Sequence, residues 1–315
     1  MPDESPLKTA LPEPVLSEPV VPEPALPEHV LPEHLELWQQ TLGWQPSAAQ
    51  QGLFQQLYNQ IVAGNQRLNL TRITTPEDFW EKHLWDSLSA LAPWLSEDLN
   101  NSELEGSGLD DSGPDDSGPD ESESDESNAT DSAAADRGEA VIEAPLRIID
   151  IGTGGGIPGI PAAIALTPLT DIHLTLLDST RKKIQFLREI CPQLNLKATC
   201  IAERAETLAH QPEHREAYDL ALIRAVGPAA TCAEYALPFL KVGAQAVLFR
   251  GQWSTQDTED LMPIVDLLGG EITDLQDWKT PLTAGDRHCI FIYKAAPTPS
   301  DFPRAVGVPA KKPLT

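Results

Sequence analysis

A glycine-rich segment, DIGTGGGIPG at residues 150–159, follows an apolar run and precedes a helical pattern. Glycines let the backbone turn sharply and approach a ligand without intervening side chains. Pro158 suits the first turn of the following helix. Gly154, Gly156 and Gly159 satisfy the GxGxxG fingerprint of dinucleotide-binding folds. The segment therefore predicts a phosphate- or nucleoside-binding turn, although this fingerprint alone is weakly specific.

The same residues also match a second sequence motif, which adds S-adenosylmethionine to the candidate ligands. Asp150 through Gly156 satisfies Asp-x-Gly-x-Gly-x-Gly, the first-strand motif of Rossmann-like methyltransferases that use S-adenosylmethionine. Asp178 ends the next apolar run, 22 residues past Gly156. A carboxylate there can accept hydrogen bonds from both hydroxyls of a ribose. NAD and S-adenosylmethionine both contain such a ribose, so nucleoside binding is predicted without choosing between them.

Arg224 ends the fourth apolar run, which the predicted topology places at the carboxyl edge of the sheet. Enzymes that methylate exocyclic amines often carry Asn/Asp-Pro-Pro-aromatic there, but residues 223–227 read IRAVG. Carbon-5 methylation needs a nucleophilic cysteine. Cys232 lies within an apparent helix, where core packing is the better interpretation. The fourth run therefore carries neither of these two devices.

His83, Asp86 and Ser87 invite a hydrolase interpretation. They share one helix and lie too close together to form a nucleophile–base–orienter line. A polar helix face near a cofactor or RNA is the better interpretation, together with Asn65, Asn69, Thr71 and Arg72.

These residues require a scaffold of alternating strands and helices. Apolar runs predict six strands, at 146–152, 172–178, 196–203, 218–225, 244–251 and 288–294. Helical patterns occur at 157–166, 181–191, 207–210, 229–241 and 255–268. Such alternation predicts an α/β, Rossmann-like fold: a mainly parallel sheet with helices on both faces. The resemblance of the glycine motif to Rossmann-like methyltransferases implies that this sheet has seven strands. This domain should span residues 146–295.

A small helical subdomain is expected upstream, over residues 37–95. Ser47 can cap a helix whose apolar residues share one face and for which Gly64 is the predicted end. Thr75 and Pro76 predict the start of the next helix.

The 315 residues carry a formal net charge of −26, which argues against a nucleic-acid partner. The charge is concentrated in two segments. Residues 1–36, an imperfect Pro/Glu pentad repeat, carry −7, and the Asp/Ser/Gly-rich residues 96–145 carry −16. Removing both from −26 leaves −3 for the remainder. The working surface is therefore close to neutral, and the objection to RNA largely disappears.

Both acidic segments are predicted to be disordered, because they contain too few apolar residues to offset chain entropy. Residues 296–315, with five prolines, are interpreted as a further tail. No apolar run approaches the ~20 residues that span a bilayer, and the acidic N-terminus lacks signal-peptide features. Four scattered cysteines favour reduced thiols, no metal site and a cytoplasmic location.

Several motifs together resemble one known family. They occur in order as NQRLNLTRI…KHLWDSL (65–88), IIDIGTGGGIPGIP (148–161), LLDSTRKKIQFLRE (176–189), RAE (204–206), LIRAVG (222–227), RGQ (250–252) and RHCIFIYK (287–294). This set is similar to the ribosomal RNA small-subunit methyltransferase G family, also called glucose-inhibited division protein B. The resemblance implies methylation of N7 of one guanine in 16S ribosomal RNA, with S-adenosylmethionine as the cofactor.

The resemblance also implies particular contacts. The cofactor-binding residues would be Gly152, Ile157, Asp178, Ser179, Thr180, Ala205, Glu206 and Arg224, with Arg224 also the expected catalytic residue. We further expect RNA contacts from Arg67, Arg72, Lys82, His83, Lys182, Lys183, Arg250 and Arg287. The expected partner is 16S ribosomal RNA or the small ribosomal subunit. We expect the protein to be a monomer that does not associate with a membrane.

Two alternatives remain open at this point. An NAD-dependent oxidoreductase accounts for GxGxxG and Asp178, but it leaves the segment at 65–88 unexplained. A non-enzymatic interaction protein would use the two acidic segments as its binding surfaces.

Overall fold

A computed structural model of the protein describes residues 30–95 and 144–315. Seven strands form within these ranges: β1 (Leu146–Ile151), β2 (Ile172–Leu177), β3 (Ala198–Ile201), β4 (Tyr218–Arg224), β5 (Leu240–Arg250), β6 (Gly270–Lys279) and β7 (Asp286–Lys294). They make one sheet in the order β3-β2-β1-β4-β5-β7-β6. The first five strands are parallel, and β7 pairs antiparallel with β5 and β6. The predicted seven-stranded, mainly parallel sheet is confirmed.

The helices of the described residues flank this sheet. They are α1 (Leu35–Leu42), α2 (Ala48–Leu68), α3 (Pro76–Phe79), α4 (Asp86–Ser89), α5 (Ala92–Leu95), α6 (Gly159–Leu166), α7 (Arg181–Ile190), α8 (Ala205–Leu208), α9 (Ala229–Ala236), α10 (Thr255–Leu267) and α11 (Val308–Lys311). A π-helical segment, Trp80–Trp85, joins α3 to α4 without a break. Two buried apolar clusters, one on each face of the sheet, hold the layers together.

Strand β6 was not among the six predicted strands. Its side chains are mostly exposed, and its sequence, GEITDLQDWK, contains three acidic residues. As the edge strand it buries little surface, so it lacks the apolar run on which the other strands were recognised.

Helix α2 begins as predicted, with a reciprocal capping box between Ser47 and Gln50. The predicted end at Gly64 is wrong, because the helix continues to Leu68. Gly64 is buried against α7, and a Cβ there would lie 2.5 Å from the Phe186 ring. Glycine at this position thus permits close helix packing and does not terminate the helix.

The N-terminal subdomain begins earlier than the predicted boundary at residue 37. Helix α1 starts at Leu35, and Leu31 is buried with its N–H bonded to Gln55 at 2.8 Å. The remaining predictions of disorder, for residues 1–29 and 96–143, lie outside the described residues.

The C-terminal segment, residues 296–315, is docked on the domain. Pro303 and Pro309 are buried, and Phe302 packs against the second apolar cluster. Arg215 binds the segment by donating to the carbonyls of Thr298 and Phe302 at 2.7 and 2.9 Å. The interpretation of residues 296–315 as a tail is therefore wrong. The proline-rich composition did not show that backbone carbonyls of this segment accept hydrogen bonds from Arg215.

The described residues, 30–95 and 144–315, contain no helix that is both long and apolar enough to cross a membrane.

Candidate functional site

The glycine loop follows β1 directly, and the buried Asp150 holds its shape. Asp150 Oδ2 accepts hydrogen bonds from Thr153 Oγ1 at 2.6 Å and from the Gly159 N–H at 2.9 Å. Complete burial raises the pKa of Asp150 to about 6, although both hydrogen bonds oppose this shift. A Cβ on Gly159 would lie 2.8 Å from the Asp150 side chain, so the strand and helix could not approach this closely with a larger residue.

Gly152 forms the exposed floor of the loop. Its φ is +72°, a conformation that favours glycine, and an added Cβ would lie 2.5 Å from Val226. A larger residue at this position would therefore be strained and would clash with Val226, which lines the same cavity.

Asp178 follows β2 and lies beside this loop. Its carboxylate accepts hydrogen bonds from the Gly154 N–H at 3.1 Å and from the Thr180 N–H at 2.7 Å. It lines a cavity of about 330 Å³, here termed the Asp178 cavity. The residues around it are Ile151, Gly152, Leu177, Asp178, Ser179, Lys183, Glu203, Arg204, Ala205, Glu206, Ala225, Val226, Tyr235 and Ala310.

The Asp178 cavity fits an adenosine group. A buried carboxylate, Asp178, lines it at the end of β2, and the exposed backbone of Gly152 forms its floor. Ala205 and Glu206 form a wall after β3. The carboxylate of Glu206, however, already accepts from Arg204, Tyr235 Oη and the Gly307 N–H. Burial opposes its ionisation, but these hydrogen bonds lower its pKa. The Glu206 carboxylate is therefore occupied by contacts within the protein.

A second cavity of about 210 Å³, the middle cavity, continues from the first. Both cavities are lined by Gly152, Lys183 and Ala225. The other residues of the middle cavity are Ile61, Leu70, Thr71, His83, Thr153, Gly154, Gly155, Ile157 and Arg224. The segment at 65–88 thus supplies Leu70, Thr71 and His83 to a cavity that the glycine loop also lines.

His83 is buried and electrically neutral. Nδ1 lies 3.0 Å from Arg224 Nη2, which can only donate, and 3.1 Å from the Lys82 carbonyl oxygen, which can only accept. Nε2 lies 2.8 Å from Thr71 Oγ1, a hydroxyl that can donate or accept. Burial, with the neighbouring Arg224 charge, lowers the pKa of His83 to about 3. His83 thus contributes no positive charge at neutral pH to its predicted RNA contact, and it lines the middle cavity between Thr71 and Arg224.

The three residues considered for a hydrolase do not form a catalytic line. Ser87 Oγ donates to the backbone carbonyl of His83, and both Asp86 oxygens are bound by arginines. Cys232 is buried in α9, where desolvation raises the pKa of its thiol to about 11.

Arg224, the last residue of β4, is held by the π-helical segment and α4. Its Nη1 donates to Asp86 Oδ2 at 2.6 Å and to the Lys82 carbonyl at 2.9 Å. The other Asp86 oxygen accepts from Arg287 Nε at 2.7 Å. Sequence reasoning identifies all three charged residues but not their pairing, because the pairing joins segments more than 130 residues apart.

A third cavity of about 480 Å³, the arginine cavity, lies beyond Arg224. It shares His83, Arg224 and Ala225 with the middle cavity. The remaining residues are Ile73, Lys82, Asp86, Phe249, Arg250, Gly251, Gln252 and Arg287. A larger cavity, of about 570 Å³, lies near α10 and the last three residues and contains no residue of the glycine loop.

Glu81 was missed by sequence reasoning. It is buried and accepts from the backbone N–H groups of Leu282 and Thr283 at 2.7 and 2.8 Å. It thereby attaches the β6–β7 turn, and with it Arg287, to the helical subdomain. A charged residue in an apolar helical stretch is the one signal that the sequence offered.

The residues predicted to face RNA occupy different positions. Arg67, Arg72 and Lys182 are exposed. Lys82 pairs with Asp78 at 2.5 Å, and Lys183 lies 3.8 Å from Asp178. Arg250 and Arg287 line the arginine cavity, where Arg250 donates to the Gly227 carbonyl at 2.7 Å.

Comparison with known proteins gives consistent matches. A family model described as rRNA small subunit methyltransferase G matches residues 50–102 and 130–284. Curated relatives named Ribosomal RNA small subunit methyltransferase G are similar over most of the chain. The protein of Trichormus variabilis is 45% identical over 280 residues, covering 89% of this chain and 96% of the relative. That of Synechococcus elongatus is 46% identical over 278 residues, covering 88% and 95%.

Proposed function

The chain belongs to the rRNA small subunit methyltransferase G family, and we propose that it methylates N7 of a guanine in 16S ribosomal RNA. It is a methyltransferase that uses S-adenosylmethionine and acts on ribosomal RNA. The oxidoreductase and interaction-protein alternatives are thereby set aside. The nucleotide, the attacked atom and the roles of individual residues form the proposal.

One observation supports the proposal most strongly: the three cavities form a continuous path across the carboxyl edge of the sheet. Ala225 lines all three, and Arg224 lines the middle and arginine cavities. Ala225 has a φ of +57°, a strained conformation for a residue with a side chain. A cofactor on one side and a base on the other would thus meet beside Arg224 and Ala225, as in-line transfer requires.

The Asp178 cavity would hold the adenosine. When bound, S-adenosylmethionine supplies an activated methyl group on a sulfonium. Asp178 would accept from the ribose hydroxyls, and Gly152 would allow the close backbone approach. Ser179 and Thr180 flank Asp178, Ala205 and Glu206 would face the adenine, and Ile157 and Arg224 would face the middle cavity.

Arg224 would bind the substrate or the carboxylate of the cofactor. Its hydrogen bonds to described residues use three of its five N–H groups, so Nε–H and one Nη2–H are left for a ligand. In the arginine cavity such donors match guanine O6. They would orient the base while leaving N7 free to attack.

The groups around Arg224 also fit a reaction that needs no general base. His83 uses Nδ1 and Nε2 in hydrogen bonds, and both Asp86 oxygens accept from arginines. Guanine N7 carries an available lone pair and loses no proton on attack. Positioning and exclusion of water would then supply the rate enhancement.

The proposal can be tested with two transcripts of small-subunit rRNA, one normal and one made with 7-deazaguanosine. Both are incubated, naked and as reconstituted subunits, with the protein and methyl-labelled S-adenosylmethionine. Label should enter normal RNA and be absent from 7-deaza RNA, in which carbon replaces N7. Equal labelling of the two RNAs would refute N7 as the acceptor.

A further inference from the structure

Residues 296–315, which follow β7, are here termed the C-terminal strap. The strap reaches the carboxyl ends of the parallel strands, where the Asp178 cavity lies. It lies beyond the range matched by the family model, which ends at residue 284. Its α11 packs on α9, where Thr231 Oγ1 donates to the Pro309 carbonyl at 2.9 Å. The next residue, Ala310, lines the Asp178 cavity. The strap therefore supplies part of the cavity wall.

A buried ion pair holds the strap in place. The Glu234 side chain in α9 is fully buried, and Arg304 grips it with Nε at 2.9 Å and Nη2 at 2.7 Å. The Arg304 backbone N–H adds a third bond, at 2.8 Å. Both oxygens of the carboxylate thus accept from Arg304. Losing Arg304 would leave a buried charge without its ion-pair partner, which strongly disfavours the docked state.

A second contact reaches the cofactor wall itself. The Gly307 N–H donates at 2.9 Å to Glu206 Oε1, and the same oxygen accepts from Tyr235 Oη at 3.0 Å. Gly307 has a φ of +79°, a conformation that glycine adopts without strain. Glu206 belongs to the wall that faces an adenine. The strap is thus bonded directly to a residue of the cofactor site.

From these contacts we propose that Arg304 and Gly307 are positioning residues for S-adenosylmethionine. Through Glu234 and Glu206 they hold the Ala205–Glu206 wall and place Ala310 against the cavity. Docking of the strap and binding of the adenosine group therefore favour one another. The inference rests on placing the adenosine in the Asp178 cavity.

Because such coupling is reciprocal, the wild-type chain can test it without any substitution. Saturating S-adenosylhomocysteine should slow tryptic cleavage of the strap at Arg304 and Lys311. Unchanged cleavage rates at saturation would overturn the proposal.

Substitution gives the second test. Arg304→Met should weaken S-adenosylhomocysteine binding about tenfold by calorimetry and raise the KM for S-adenosylmethionine, with kcat nearly unchanged. Arg304→Lys should recover part of the affinity, since it restores the charge without the two-pronged grip. Lys312→Met, on the exposed part of the same strap, is the matched control.

Removing residues 304–315 should weaken binding at least as much as Arg304→Met. Melting temperatures and circular dichroism establish that each variant is folded. Wild-type affinity in both folded variants would overturn the inference. The site of methylation, mapped separately, tests the proposed function, so the two can fail independently.

Discussion

Arg224 at the end of β4 donates a 2.6 Å hydrogen bond to Asp86 of α4, 138 residues earlier in the chain. Asp86 also accepts from Arg287, so one carboxylate aligns two guanidinium groups on the wall of the arginine cavity. Each of the three charged side chains belongs to a different segment: the helical subdomain, β4 and β7. The base-binding end of the proposed site thus exists only when these segments have packed together.

Asp86→Asn should release both guanidinium groups from their fixed orientation. An amide keeps the shape of the side chain but offers only one acceptor oxygen, without charge. We expect a loss of about 3 kcal/mol in unfolding free energy, typical of breaking a buried pair, and a higher KM for RNA. Chemical denaturation and RNA titrations measure the two effects. A variant with normal stability and normal KM would show that the pairing is unimportant.

Arg224→Met should abolish most methyl transfer while the chain stays folded. The substitution retains much of the side-chain volume but removes every donor that faces the base. We expect a decrease of about 100-fold or more in kcat/KM, the magnitude of losing a placed donor at a reacting group. Labelled methyl transfer measures the rate, and thermal unfolding serves as the folding control. Turnover near that of the wild type would contradict the proposed role.

His83 should make stability depend on pH. Folding lowers its pKa from 6.5 to about 3, so between these values the unfolded chain binds a proton that the folded chain does not. Stability is therefore lost as the pH falls below 6.5. His83→Gln removes the titrating group, so between pH 7 and 5 the wild type should lose about 2 kcal/mol more than the variant. Parallel pH profiles from denaturant unfolding would disprove the buried neutral state.

Gly152→Ala should impair cofactor binding. The new Cβ would require a strained φ of +72° and lie 2.5 Å from Val226. Affinity for S-adenosylhomocysteine should fall tenfold or more. Gly52→Ala is the control, because its Cβ meets no atom within 4 Å on α2; it should leave affinity unchanged and stabilise the helix by about 1 kcal/mol. Equal affinities of the two variants for S-adenosylhomocysteine would show that the cofactor does not bind against the glycine loop.

Neutralising the exposed bases should weaken RNA binding without affecting the cofactor. Replacing Arg67, Arg72 and Lys182 with Gln should reduce the slope of log K against log salt by about 0.7 for each phosphate that the protein no longer neutralises. The control replaces Lys197 and Lys241, which lie near the starts of β3 and β5, at the opposite edge of the sheet. If both sets change the slope equally per charge removed, RNA does not bind specifically to the predicted face.

The scaffold and the glycine loop could be predicted from the sequence because each depends on a pattern of neighbouring residues. Apolar runs define the inner strands, and the glycines between β1 and α6 mark a close backbone approach. The order of the sheet then places Asp178 and Arg224 at one edge. The family assignment and the fold are confirmed by the comparisons and the structure.

The remaining features depend on contacts that local patterns do not encode. The burial of His83 was not predicted, because nothing in its local sequence shows that it packs between Thr71 and Arg224. The C-terminal strap was predicted to be a free tail because its composition is rich in proline. Composition does not show that backbone carbonyls of the strap accept hydrogen bonds from Arg215. In both cases an arginine distant in the chain makes the contact: Arg224 for His83, and Arg215 for the strap. These contacts can therefore be identified only in the folded structure.

The most direct test of the central claim is to locate the methyl group. Small-subunit RNA is incubated with the protein and S-adenosylmethionine, then treated with borohydride and aniline, which cleave the chain at N7-methylguanosine. We predict cleavage at one guanine in 16S rRNA, absent without protein and absent with Arg224→Met. Methyl incorporation that yields no cleavage, or that maps to another base, would contradict the account.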